Sequence, residues 1–337
     1  MAEWQPPTER GSLVVYHECF NSHILLRGMG RRCTAPTFSC VRYQALPALL
    51  FWGLVVAAAA LSGRNPDFNW DGIAYVALAL ERDAGAEEAH RQSYAYLEAA
   101  APQARFEELT ASSAYREAMA RDPKAFAENL RFYRMRHGYV GLLGSSHRLT
   151  GANPYLLSVG LGIAAFLLLA GAAWAWSGQA VFRLGREEGG WLRLSMLPLL
   201  LQPAALGAIS LTTPDLLAAA LLAWGAYFLV ARAERGTAFL FFVLAVLCRP
   251  DALILGSLLL SVPAADALLA RYRSEEAPLG EGVSSLGLAA GLVVVGAAAV
   301  RFGGAHPWST VFAHTFLEHA TLPGVVALDP WSYLKVV

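Results

Sequence analysis

Three short motifs hold the residues best suited to chemistry: Asn69-Trp70-Asp71-Gly72-Ile73-Ala74-Tyr75, Thr212-Thr213-Pro214-Asp215 and Cys248-Arg249-Pro250-Asp251. Asp71 lies just past a charge-free apolar stretch, residues 45–61, beside the interface-seeking Trp70. An ionised carboxylate held next to a bound hydroxyl or amine is a competent general base. The rival reading is a helix N-cap, since Asp ahead of a helical run satisfies free backbone amides. Position alone favours the cap; the other two motifs move the balance toward the base. Asp215, behind Thr213 and Pro214, has the ordinary chemistry of a helix start. Arg249 and Asp251 flank Pro250 inside an apolar run, and charge at membrane depth is costly enough to mark a functional position. The partner of Arg249 is Asp251, Asp215 or a phosphate oxygen, which its planar fork matches; the phosphate-facing role is favoured.

Residues 130–139 interleave Arg134 and Arg136 with aromatic side chains. That mixture suits an interfacial helix, with rings at headgroup depth and arginines near lipid phosphates, or an ordinary flank anchor. Near the C-terminus, His314 and Glu318 share a helical face, with His306 and His319 nearby. A divalent metal is conceivable there, but no HExxH pattern supports one and none is assigned.

The elements that must position these residues are apolar. Of 337 residues, 56% are hydrophobic and 15% charged, which marks an all-α polytopic membrane protein. Zero formal net charge leaves no basic footprint for nucleic acid. Cys19, Cys33, Cys40 and Cys248 form no CxxC pair, and neither a zinc site nor a disulfide framework is expected. Residues 1–44 read as a disordered cytoplasmic tail rather than a signal peptide.

Candidate spans are residues 45–61, 154–176, 192–211, 214–231 and 284–300, with 238–263 interrupted at Arg249-Pro250-Asp251. The interruption is either a kink in one helix or a turn between two short ones. Arginines 183, 186, 193, 232, 235, 271 and 273 fall on one side only if it is a turn, giving about seven passes with the N-terminus inside. Residues 62–153 then form a long extracytoplasmic helical loop, 154–300 a multi-span bundle and 301–337 an extracytoplasmic tail. Within the loop, Asp71, Tyr75, Leu78 and Arg82 share a helical face, and Pro102 and Pro123 are natural boundaries.

The three motifs, in this order, resemble those of the GT-C membrane glycosyltransferases, which include protein O-mannosyltransferases and aminoarabinose transferases. Asn69-Trp70-Asp71-Gly72-Ile73-Ala74-Tyr75 is similar to that family's catalytic aspartate and the aromatic following it. Thr213-Pro214-Asp215-Leu216 resembles its acidic start to a later span, and Leu247-Cys248-Arg249-Pro250-Asp251-Ala252-Leu253 its basic-residue-plus-proline step. Phe302-Gly303-Gly304-Ala305-His306-Pro307-Trp308 is loosely similar to a Gly…Pro loop after a further span. Gly72 stands where several relatives carry a second acid. Relatives have more spans and often a C-terminal domain, so a chain still apolar at Val337 reads as a truncated form.

The resemblance implies a polyprenyl-phosphate-linked sugar donor, an extracytoplasmic acceptor and inversion at the anomeric carbon. It implies Asp71 as catalytic base, with Arg249, Tyr75, Asp215, Asp251, Arg134 and Arg136 binding substrate, membrane lipid as a partner, and a bacterial plasma-membrane location. No cofactor is assigned. The alternative is a non-enzymatic polytopic protein, a transporter or assembly partner, with the Arg249 break as a discontinuous helix on a substrate path.

Overall fold

The computed structural model describes residues 38–183, 189–273 and 279–303. The tail with Cys19 and Cys33, the side chains of Cys40 and Arg42, the loop carrying Arg186, and the segment with His306, His314, Glu318 and His319 lie outside the described residues. Within the described residues all regular structure is helical, apart from one isolated parallel bridge between Asp67 and Leu211.

The helices are α1 (Phe38–Gly63), α2 (Trp70–Ala84), α3 (Ala86–Ala100), α4 (Gln103–Ala111), α5 (Ala114–Arg121), α6 (Pro123–Leu130), α7 (His137–Thr150) and α8 (Pro154–Arg183). They continue as α9 (Gly189–Leu192), α10 (Leu197–Leu200), α11 (Pro203–Ser210), α12 (Asp215–Val230), α13 (Arg235–Cys248), α14 (Ala252–Tyr272) and α15 (Leu279–Gly303). Among the described residues four stretches are long and apolar enough to cross a membrane: Ala45–Gly63, Pro154–Ala180, Ala252–Tyr272 and Gly282–Gly303. No more than 39% of any of these windows is buried, which leaves most of each surface for lipid. The protein is an integral membrane helical bundle.

The remaining apolar segments differ from straight spans. The expected span over 192–211 is a pair of stretches, Gly190–Leu200 and Pro203–Ser210, bent by 68°. Gln202 takes an extended ψ of 148° directly before Pro203, as a residue preceding proline prefers. The same effect resolves the Arg249 interruption. Arg249 is extended at φ −151° and ψ 106° ahead of Pro250, so α13 and α14 are two helices rather than one with a kink. With 16 and 14 residues, α12 and α13 reach about 24 and 21 Å, short of a ~30 Å hydrocarbon core.

Between helices in lipid, hydrophobic drive is weak, and close packing over small residues takes its place. Phe242 of α13 is fully buried between two glycines. A Cβ on Gly225 of α12 would lie 2.5 Å from its ring, and one on Gly256 of α14 would lie 3.4 Å from its Cβ. The α8–α12 contact adds a bond from the Trp224 indole nitrogen to the Leu168 carbonyl at 2.8 Å.

Helices α2–α7 form a helical layer over one end of this bundle. Pro102 and Pro123 stand at the starts of α4 and α6, and the Asp122 side chain caps α6 by accepting from the Lys124 amide at 2.9 Å. Residues 72–80 of α2 are all buried, so this helix, expected from the spacing of Asp71, Tyr75, Leu78 and Arg82, is a core element of the layer. The layer is tied to the start of α8 by polar contacts. Asn153 donates to the Tyr96 carbonyl at 2.9 Å, and the Tyr155 hydroxyl donates to the Ser93 carbonyl at 3.3 Å.

Replacing Gly225 by Val forces the Phe242 ring out of its slot, an overpacking cost of roughly 1–3 kcal/mol. The melting temperature in detergent should fall clearly for Gly225→Val and barely move for Gly53→Ala, where a Cβ meets nothing within 4 Å. Equal melting temperatures would show that the α12–α13 packing does not limit stability.

Candidate functional site

Asn69, not Asp71, caps α2. Its side-chain oxygen accepts from the Gly72 amide at 2.8 Å and from the Thr212 hydroxyl at 3.3 Å. The cap role that position alone assigned to Asp71 therefore belongs to its neighbour, and the Asp71 carboxylate is spared it. The cap is docked on the loop that ends α11. The Asp67 amide donates to the Ser210 carbonyl at 3.1 Å, and a Cβ on Gly72 would lie 2.2 Å from the Thr212 hydroxyl. Only glycine permits that approach.

From Thr212 the chain turns into α12. The Thr213 hydroxyl donates to Asp215 Oδ2 at 2.9 Å, and Asp215 Oδ1 is ion-paired with Arg249. The Arg249 Nε also donates to both oxygens of Asp251 at 2.8 Å. Arg249 thus has both carboxylate partners considered for it, while its side chain stays 37% exposed.

Asp71 Oδ1 accepts from the Tyr133 hydroxyl at 2.8 Å; among the described residues Oδ2 accepts nothing. Tyr133 lies edge-on to Tyr75, ring centroids 5.2 Å apart, and Tyr75 meets Tyr139 in the same way at 5.3 Å. The Arg136 guanidinium sits 5.4 and 5.2 Å from the Tyr75 and Tyr133 centroids. Its Nε is buried without a hydrogen-bond partner, and among the described residues the guanidinium makes one long hydrogen bond, 3.4 Å, to the Phe132 carbonyl. Burial pushes the Tyr75 phenol well up; Arg136 and Arg249 pull it down and Asp71 adds to the rise. Burial likewise raises Tyr133, and the Asp71 charge and hydrogen bond reinforce it. Tyr133 is therefore a fixed hydrogen-bond donor to Asp71 at neutral pH.

Residues 130–139 are not one interfacial helix. Leu130 ends α6, a turn follows, and α7 begins at His137. The turn sends Arg134 to Glu81 of α2 and Arg136 to the tyrosines. It is fixed by close approaches, since a Cβ on Gly138 would lie 3.0 Å from the Leu247 carbonyl carbon and one on Gly303 2.9 Å from Met135 Cα. These contacts bring the turn, the end of α13 and the end of α15 to the end of the bundle that holds Asp71.

Asp71, Tyr75, Arg136, Arg249, Asp215 and Asp251 thus occupy one end of the bundle, with Arg134 set apart by its ion pair. Asn69, Thr212 and Thr213, which the motifs contain without a role of their own, complete the arrangement with Tyr133, which lies outside them. Tyr133 lay in a stretch whose aromatic–basic pattern marks an interface equally well. An open cleft of about 730 Å³, lined by Glu88, His90, Arg91, Tyr94, Arg121 and Pro123 among others, contains none of these residues. Among the described residues no group of three or more His, Cys, Asp or Glu side chains is gathered to hold a metal ion. Chemically, the site offers a carboxylate oriented by Tyr133, with the Arg136 cation against the same tyrosine ring.

These features define a helical membrane protein with a polar, charge-bearing site at one end of the bundle. No family model, curated protein or solved structure matches the chain.

The tyrosines predict a pH response. Their folded values stand above the usual tyrosine value of about 10, so their stabilisation is complete below that pH and is lost as pH rises through the folded values. Stability should fall above about pH 10 by up to ~1.4 kcal/mol per pH unit for each tyrosine, and Tyr133→Phe should flatten the decline. Phenolate absorbance appearing near pH 10 for all tyrosines, without loss of fold, would contradict this burial.

Proposed function

We propose that the protein is a membrane glycosyltransferase of GT-C type that moves a sugar from a polyprenyl-phosphate donor to an acceptor outside the plasma membrane, with inversion. The observation that carries the reading is the Asp71 carboxylate, relieved of capping by Asn69 and oriented by Tyr133. The convergence of the three motifs at one end of the bundle supports it. In the proposed step the acceptor hydroxyl gives its proton to the open oxygen of Asp71. The acceptor oxygen then bonds to the anomeric carbon as the carbon–oxygen bond to phosphate breaks, and the bonding pair leaves with the phosphate. Arg249 and Arg136 lie where that charge could be stabilised electrostatically. Arg249 must exchange a carboxylate for the phosphate; the buried Nε of Arg136 has no partner to give up. The ends of α12, α13 and α14 away from Asp71 carry Arg232, Arg235, Arg271 and Arg273, which supports a cytoplasmic assignment for that side.

Topology is tested by cysteine labelling of intact cells. Ala111→Cys, exposed on α4, should react with an impermeant reagent, while Arg232→Cys, exposed at the far end of α12, should react only after lysis. The opposite pattern would put Asp71 in the cytoplasm and end the proposal.

The catalytic assignment is tested with Asp71→Asn, which keeps the side-chain shape and an oxygen for the Tyr133 hydroxyl but cannot take up the acceptor proton. Sugar transfer from a polyprenyl-phosphate donor should drop on the order of 10²–10⁴-fold. The melting temperature should hold, because Asn69 still caps α2. Turnover within a few-fold of wild type would remove Asp71 from the chemistry.

A further inference from the structure

The end of the bundle away from Asp71 holds a second cation whose arrangement the proposed transfer does not use. Helix α8 starts at Pro154 beside the α2–α7 layer, and Trp174 lies further along it by ~30 Å at ~1.5 Å per residue, about the thickness of the hydrocarbon core. Aromatic side chains collect at this depth. Trp52 and Trp174 are 6.4 Å apart by ring centroid, Trp176 and Tyr227 are 5.8 Å apart, and Trp191 is 49% exposed. Such a belt marks a membrane–water interface.

Arg193, in the 3₁₀ turn of the bent pair, places its guanidinium 4.3 Å from the Trp174 ring centroid. Its Nη2 lies where a Cβ on Gly178 would come within 3.2 Å, so the cation lies against the α8 backbone in room left by a glycine. The Arg193 Nε is buried without a hydrogen-bond partner, and no carboxylate among the described residues pairs with the guanidinium. A cation held at interface depth with idle donors is matched by an anion that belongs at that depth. We propose that Arg193, with Trp174 and Gly178, binds the phosphate of an anionic lipid headgroup at the end of the bundle opposite Asp71. Trp191 and Leu192, both exposed beside Arg193, offer apolar contact to the acyl chains, which a free phosphate ion could not use. The proposal does not depend on the glycosyltransferase reading.

The test uses the full chain in mild detergent, titrated with phosphatidylglycerol, phosphatidylcholine or inorganic phosphate, and read by native mass spectrometry and melting temperature. Wild type should retain phosphatidylglycerol and be stabilised by it, with little response to phosphatidylcholine and none to inorganic phosphate. Arg193→Gln should weaken phosphatidylglycerol retention by about tenfold, as expected for the loss of one charge-assisted contact. Arg121→Gln, exposed on α5 and paired with Glu117, should behave as wild type. Undiminished retention in Arg193→Gln would overturn the proposal, as would equal stabilisation by inorganic phosphate. If Arg193→Gln does not fold, wild type decides alone: a photoactivatable phosphatidylglycerol must crosslink around Trp191 and Leu192, and crosslinking confined to other segments overturns the site.

Discussion

The close approach of Gly72 to Thr212 is the contact on which the site depends. Residues far apart in sequence meet there with no room for a single methyl group. The shared acceptor, Asn69 Oδ1, takes hydrogen bonds from the Gly72 amide of α2 and from the Thr212 hydroxyl. One direction from this point leads to Asp71 in the first turn of α2. The other leads through Thr213 and Pro214 to Asp215 and on to Arg249. A side chain at position 72 would separate the carboxylate from the ion-pair cluster while leaving each helix intact. An acidic side chain at position 72 could not fit.

The charges at this end of the bundle are balanced unevenly. Arg249 faces Asp215 and Asp251, and Asp215 is further held by the Thr213 hydroxyl, so this cluster satisfies itself. All three charged side chains are more than a third exposed, so each pair adds little to stability and serves chiefly to fix the Arg249 side chain. Arg136 is different. It rests on tyrosine faces, and its buried Nε bonds to nothing. The net effect is a region where three carboxylates stand near two arginines. Of the two arginines, Arg136 is the one that no carboxylate among the described residues neutralises.

Much of the fold was legible in the sequence because its signals are local. Apolar stretches of span length, Pro102 and Pro123 at helix starts, and the effect of Pro250 on Arg249 follow from composition and backbone sterics. The bend at Pro203 has an equally local cause but hides in an unbroken apolar run, where hydropathy reads straight through it. The site was legible only as separate motifs. Whether Asn69 or Asp71 caps α2 depends on which side chain reaches the Gly72 amide, and periodicity does not encode that. Arg134 and Arg136 look equivalent on paper, yet a turn where a helix was expected sends one to Glu81 and the other to Tyr75.

The burial of α2 explains why such a site can be precise. A helix open on one face could roll or shift by fractions of an ångström, but α2 is enclosed along residues 72–80. Its close approach to α7, where a Cβ on Gly144 would lie 2.9 Å from the Ala79 carbonyl oxygen, removes the remaining freedom. A carboxylate on such a helix, with one oxygen held by the Tyr133 phenol, loses little entropy in keeping a single orientation. The long spans face lipid over most of their surface and carry none of these groups. The spans act chiefly as the frame that keeps the α11–α12 and α13–α14 turns against the layer that covers the bundle end.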